Sequence, residues 1–196
     1  MKVHLKDVRL SYAQLFEPKQ VNGQGEAKFS AAFLFPANHP AVAELKKAIQ
    51  AVATEKWGAK AGEVYAAIKA KNTACLHDGA EKPEQEAYKG NMFVNASNKI
   101  KPLVIDGNRS PLTATDGKPY SGCYVNGIVE VWAQDNQFGK RINASLMGIQ
   151  FLRDGPRLAG GGVAGAEDFE AIPEAAPVEG AANQANAAAQ TADVFG

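Results

Sequence analysis

The sequence is poor in the residues that build most small active sites, with two cysteines and three histidines in 196 residues. Cys75 and Cys123 lie far apart with no CxxC spacing, so they read as buried free thiols rather than a disulfide or a redox pair. No stretch approaches the roughly 18 consecutive apolar residues of a membrane span. The opening segment carries Lys2, Lys6, Asp7 and Arg9 where a signal peptide needs its apolar region. A soluble, intracellular protein with no membrane partner is expected. The remaining absence is positional, since no Lys or Arg follows Arg157.

That last absence divides the chain. All 21 basic residues fall in residues 1–158, with 15 of the 21 acids, whereas residues 159–196 hold the other six, Glu167, Asp168, Glu170, Glu174, Glu179 and Asp193. A formal net charge of zero therefore combines a body of +6 with a tail of −6. Such asymmetry points to a polyanion-binding body whose tail competes for the same surface or recruits a partner, with a tail that merely aids solubility as the other reading. The tail is Gly, Ala, Pro, Glu, Asn and Gln with hardly any large apolar residue, too little to offset its ordering entropy. One domain over 1–158 and a disordered acidic tail over 159–196 are expected. The tail closes on Asp193-Val194-Phe195-Gly196, an aromatic beside an acid. Asp193, Val194 and Phe195 are thus candidate partner-binding residues, with chance composition as the alternative.

Within the body, residues 3–10 and 28–35 read as strands, the second with Phe29, Ala31, Phe33 and Phe35 on one face. Asn38 ahead of Pro40 marks a helix start, and Val42, Leu45, Ile49 and Val52 form its buried stripe. A second helix over about 61–71 buries Val64 and Ile68. Further strands are expected at 92–97, 102–105, 124–133 and 142–152, separated by the turn signals Asp106-Gly107, Asp116-Gly117 and Phe138-Gly139. Short strands at hairpin spacing with a helical insertion indicate a mainly β, α+β domain, a small β-barrel rather than a parallel α/β sheet.

Catalytic chemistry finds little support. Cys75-Leu76-His77-Asp78 would place a thiol and an imidazole on one strand face, but no motif supplies further metal ligands or a nucleophilic triad. Glu130-Val131-Trp132 lacks the lysine of a nuclease element, and Asp106, Asp116 and Asp135 sit where turns favour Asp. Gly160-Gly161-Gly162 has no Lys-Ser/Thr after it and reads as a linker rather than a phosphate loop. No catalytic residue, metal site or cofactor is assigned.

Nucleic-acid binding asks instead for a basic surface with interleaved aromatics. In 92–97, Met92, Val94 and Ala96 alternate with Phe93, Asn95 and Ser97, which places an aromatic on the polar face. Lys99 and Lys101 follow within reach of a phosphate backbone. Trp132 shares a face with Asn126 and Glu130, and Arg141, Asn143 and Ser145 form another polar face, with Lys140 at the strand entrance. Phe93 and Trp132 are the expected stacking platforms, Lys99, Lys101, Lys140 and Arg141 the phosphate contacts, and Asn95 and Ser97 their polar neighbours. Aromatic stacking is tolerant of sequence, so the combination suits single strands. The best helix spends its regular stripe on a core rather than on a duplex groove.

The ordered set Val8-Arg9-Leu10-Ser11-Tyr12-Ala13-Gln14-Leu15-Phe16, Lys28-Phe29-Ser30-Ala31-Ala32-Phe33-Leu34-Phe35-Pro36, Phe93-Val94-Asn95-Ala96-Ser97 and Tyr120-Ser121-Gly122-Cys123-Tyr124-Val125 resembles a family of phage single-stranded DNA-binding proteins with an OB fold, first catalogued as a domain of unknown function. The resemblance covers essentially the whole body. It implies a barrel with extra helices, single-stranded DNA as ligand, and service in phage replication or recombination in the cytoplasm of the infected bacterium. It also implies that the acidic tail docks phage or host replication proteins and shields the basic groove. Here Phe195 is penultimate, whereas the best-known tails end on the aromatic. Two other readings remain at this point: a DNA-processing enzyme around Cys75, His77 and Asp78, and a structural or adaptor protein that binds protein partners. Oligomeric state is not legible in the sequence.

Overall fold

The computed structural model describes residues 1–21 and 24–158. The expected tail, with Asp193, Val194 and Phe195, lies outside the described residues.

β1 (Lys2–Val21) starts in simple alternation, burying Val3 and Leu5, then breaks step, because the next inward residues are Val8 and Leu10. A bulge absorbs the extra residue: the register against the neighbouring strand shifts between Leu5 and Val8, and Asp7 takes φ 51°. A second irregularity follows at Tyr12, φ 47°, where the register against β2 (Gln24–Pro36) shifts between Ser11 and Gln14. Bulges bend a strand and sharpen its twist. β1 can therefore border one strand over its first residues and another from Arg9 onward, running well past residue 10.

The remaining strands are β3 (Leu76–Asp78), β4 (Asn91–Asn98), β5 (Leu103–Ile105), β6 (Tyr124–Asn136) and β7 (Gly139–Arg153). They form one seven-stranded sheet in the order β3-β4-β2-β1-β6-β7-β5, antiparallel throughout except where β5 runs parallel to β7. The sheet rolls up so that β4 faces β7. Ladder bonds do not close this seam. Asn98 Nδ2 donates to the Leu146 carbonyl at 3.1 Å, and the segment before β3 lies between the strands, with Ile142 N donating to Thr73 O at 3.2 Å and Asn95 N to Cys75 O at 3.1 Å.

Two helices, α1 (Pro40–Trp57) and α2 (Ala61–Ala70), form the expected insertion between β2 and β3. The cap of α1 is His39 rather than Asn38, its Nδ1 accepting from Ala41 N at 3.2 Å, with Pro40 pre-set for the first turn. Val42, Leu45, Ile49 and Val52 are buried as their spacing required, joined by Ala41, Ala48 and Ala53. This face covers β1 and β6 and completes a core of Leu5, Leu10, Phe33, Val94, Val129 and Leu146 among others. Phe33 lies so close over β6 that a Cβ on Gly127 would stand 2.7 Å from its ring.

A second, smaller cluster of Ala32, Leu34, Tyr88 and Phe93 packs on the other face of β2 and β4. Its cover comes from residues 79–90, two short 3₁₀ turns between β3 and β4. Gly79 is required there, because a Cβ would meet the Tyr88 carbonyl oxygen at 1.8 Å.

Candidate nucleic-acid interface

Where β4 and β7 face each other without ladder bonds, the surface opens into a groove of about 870 Å³. Asn95 and Ser97 line one wall from β4, and Arg141, Asn143 and Ser145 line the other from β7. Trp132 and Gln134 extend the second wall onto β6. The strand register explains this company, since Trp132 pairs with Asn143 and Gln134 with Arg141. Residues directly opposite in an antiparallel pair share one face.

Trp132 is 41% exposed. Its Nε1 donates to Ser145 Oγ at 3.0 Å, and Asn143 Nδ2 donates to Gln134 Oε1 at 3.1 Å. The first bond holds the indole by its polar edge, so the ring is positioned before any ligand arrives, and the second joins its neighbours on the two strands. A second exposed ring, Tyr12 at 43%, lines the groove from β1. Plain alternation would have put Tyr12 on the same side as Val8 and Leu10. The positive-φ bulge turns it outward, and no residue type in the sequence announces that bulge.

Four cations line the groove, Lys28, Lys82, Lys99 and Arg141, and among the described residues no Asp or Glu does. Lys99 pairs with Glu26, and this partner, first by hydrogen bond and then by charge, holds the Glu26 carboxyl below its ordinary range. The Lys82 ammonium sits over the rings of Tyr12, Tyr88 and Phe93 at 4.7, 4.6 and 5.0 Å. Burial pushes its pKa down, and the rings supply part of the stabilisation that lost water provided. Lys28 and Lys82 went unnoticed in the sequence because a lone lysine carries no signal of the face on which it lands.

Of the expected site residues, the structure brings Asn95, Ser97, Lys99, Trp132 and Arg141 to this groove. Phe93 is corrected. It does point away from the main core, as alternation required, but it is only 1% exposed. His77 stacks on its ring at 4.8 Å and 14°, Tyr88 meets it edge-on at 5.0 Å, and Lys82 covers it, so it is no open platform. Lys101 and Lys140 are exposed but do not line the groove. Lys140 sits opposite Asp135 in the register and pairs with it at 3.5 Å.

The residues of the expected enzymatic alternative are otherwise occupied. Cys75 packs in the main core, where burial pushes its thiol up to about 12. His77 Nδ1 lies 2.9 Å from Asn72 Oδ1 and 3.0 Å from Glu81 Oε2, and Asp78 caps a 3₁₀ turn by accepting from Ala80 N at 2.9 Å. Among the described residues no group of three or more His, Cys, Asp or Glu side chains is placed to hold a metal ion. No described helix is long and apolar enough to cross a membrane.

Comparison with solved structures finds the same architecture in the single-stranded DNA-binding protein of bacteriophage Enc34, determined in complex with single-stranded DNA. The TM-score is 0.70 at 25% identity, covering 81% of this chain and 89% of that one. The fold also matches gp2.5, a single-stranded DNA-binding protein encoded by bacteriophage T7, with a TM-score of 0.54 at 13% identity over 90% and 98% of the two chains. In sequence, the chain is 51% identical over 173 residues to protein p50 of Acyrthosiphon pisum secondary endosymbiont phage 1, covering 87% of this chain and 93% of that protein. Residues 1–180 match the family described as the ssDNA-binding protein of Enterobacter phage Enc34. With its barrel and this match along most of its length, the chain belongs to the Enc34 family of phage single-stranded DNA-binding proteins.

Proposed function

We propose that this protein binds single-stranded DNA with little regard to sequence, coating and protecting strands exposed during phage DNA replication and recombination in the cytoplasm of the infected bacterium. The observation that carries the reading is the groove, in which two exposed rings, Tyr12 and Trp132, stand among four cations and, among the described residues, no acid lines it. Bases stack on aromatic faces whatever their identity, while Lys28, Lys82, Lys99 and Arg141 follow the phosphates. Asn95, Ser97 and Asn143 are short polar groups suited to sugar and phosphate oxygens. The protein acts by binding, and catalyses nothing in this reading. The employment of Cys75, His77 and Asp78 in packing, a ring stack and a cap supports that view.

The same reading extends to the chain's charge division. Residues 159–196, with six acids and no base, compete with DNA for the basic groove and recruit phage or host replication proteins through Asp193, Val194 and Phe195. The domain that binds DNA ends near Leu158.

Anisotropy of a labelled oligo-dT, titrated at low and moderate salt with the full chain and with a chain ending at Leu158, tests both parts. Saturable binding that weakens with salt is expected, and tighter binding by the shortened chain at low salt. No binding even at low salt overturns the single-strand reading. Equal affinity of the two chains across salt overturns tail competition alone.

A further inference from the structure

Phe138 stands at the turn between β6 and β7 and is 73% exposed, whereas every other Phe among the described residues is buried or half-buried. An aromatic in water at a hairpin tip contributes nothing to a core. Its backbone is nevertheless held, because its amide donates to Asn136 Oδ1 at 3.0 Å and Gly139, at φ 99°, completes the turn.

The tip is continuous with the groove. From Trp132↔Asn143 through Gln134↔Arg141 to Asn136↔Gly139, the hairpin presents one face without an acid, and Gln134 Nε2 donates to Asn136 Oδ1 at 3.1 Å. The back of the hairpin is braced. Ala133 packs on the core, and Asp135 accepts from the Trp57 indole at 2.8 Å and pairs with Lys140. The four-residue step from Trp132 to Asn136 spans about 14 Å at the usual strand rise. A polyanion leaving the groove past Trp132 along this face meets Arg141 and then reaches the tip, where Phe138 stands exposed.

We infer that Phe138 is a further base-stacking platform, outside the groove, that engages a single strand only when the strand is long enough to run from Trp132 to the hairpin tip. The inference rests on the single-strand reading of the groove.

The test is binding of the full chain and its Phe138→Ala variant to oligo-dT of about 4 to about 16 nucleotides, the span of sites on one OB fold. The variant is expected to match the unaltered protein on the shortest strand that binds and to bind the longest about 5- to 150-fold more weakly, the worth of one stacked base. In a Trp132→Phe background, the Phe138→Trp variant should show DNA-dependent quenching that begins at the length where the alanine variant starts to lose affinity. Equal loss at every length, or no loss at any, overturns the inference. Loss confined to long poly-dT carrying many copies also overturns it and gives the ring to contacts between copies. If the unaltered protein binds no oligo-dT, the groove reading itself has failed, and that result is seen before any variant is compared.

Discussion

The Trp132 indole and the Ser145 hydroxyl, on neighbouring strands, are joined by a 3.0 Å hydrogen bond that fixes the ring at the wall of the groove. Trp132→Ala should weaken binding of oligo-dT by about 1–3 kcal/mol, while Trp132→Phe retains most of the affinity. The chain has two tryptophans, and Trp57 is bonded to Asp135 on the back of the hairpin. DNA-dependent quenching should therefore vanish in Trp132→Phe and persist in Trp57→Phe. Quenching that survives without Trp132 would remove it from the DNA path.

Groove cations and other cations are separable by salt. Each phosphate contact to a single strand contributes about 0.7 to the slope of log K against log salt. Lys28→Ala and Arg141→Ala should each lower the slope by about that amount. Lys140→Ala, which removes a lysine paired to Asp135 outside the groove lining, should leave it nearly unchanged. Equal slopes for all three variants would place the phosphate track elsewhere.

Two glycines are held by contact rather than by turn geometry. Gly127→Ala pushes a methyl into the buried Phe33 ring, an overpacking expected to cost about 1–3 kcal/mol in urea unfolding. Gly79→Ala should cost more, since the obstacle is the Tyr88 backbone oxygen, which cannot swing aside as a ring can. DNA affinity of the folded fraction should survive Gly127→Ala. A Gly127→Ala protein as stable as the original would contradict this packing.

Burial raises both thiols above their ordinary value of 9.0, Cys75 to about 12 and Cys123 to about 11. A raised folded-state pKa means that above pH 9 the unfolded chain releases these protons first. Their stabilisation is complete below about pH 9 and is lost as pH climbs through the folded values, at up to about 1.4 kcal/mol per pH unit per thiol. Burial shifts Tyr65 and Tyr88 upward too, so they act in the same direction. Chemical-denaturation curves from pH 8 to pH 11 should show this fall, and Cys75→Ala should flatten it. Cys75→Ala should also leave DNA binding intact, whereas a protein that acted through this thiol would lose its activity.

Most of the barrel was legible because its strands announce themselves by alternation and its turns by Gly and Asp. Alternation fixes the side of a sheet on which a residue lies, and it did so for Phe93, Asn95 and Ser97. It says nothing of what covers that side. Phe93 is lost as a platform because residues 79–90, which carry no periodic pattern, fold back to bury it with Tyr88. Tyr12 was missed for the converse reason, since one bulge reverses the phase of everything after it. Trp132 and Arg141 do lie on the groove face that alternation assigns them, because their strands run unbroken there and period two holds.

The width of the groove at the seam between β4 and β7 is set by a segment outside both strands. Its walls are spaced by the short run from Thr73 to Cys75, whose carbonyls take Ile142 N and Asn95 N, and Thr73 is itself tied to the end of α2 through Ile68 O at 3.0 Å. A rigid barrel would set that gap by its strand count. Here the segment that follows a helix sets it, so the end of α2, outside the lining, is joined to both walls through three consecutive residues and holds the gauge of the groove.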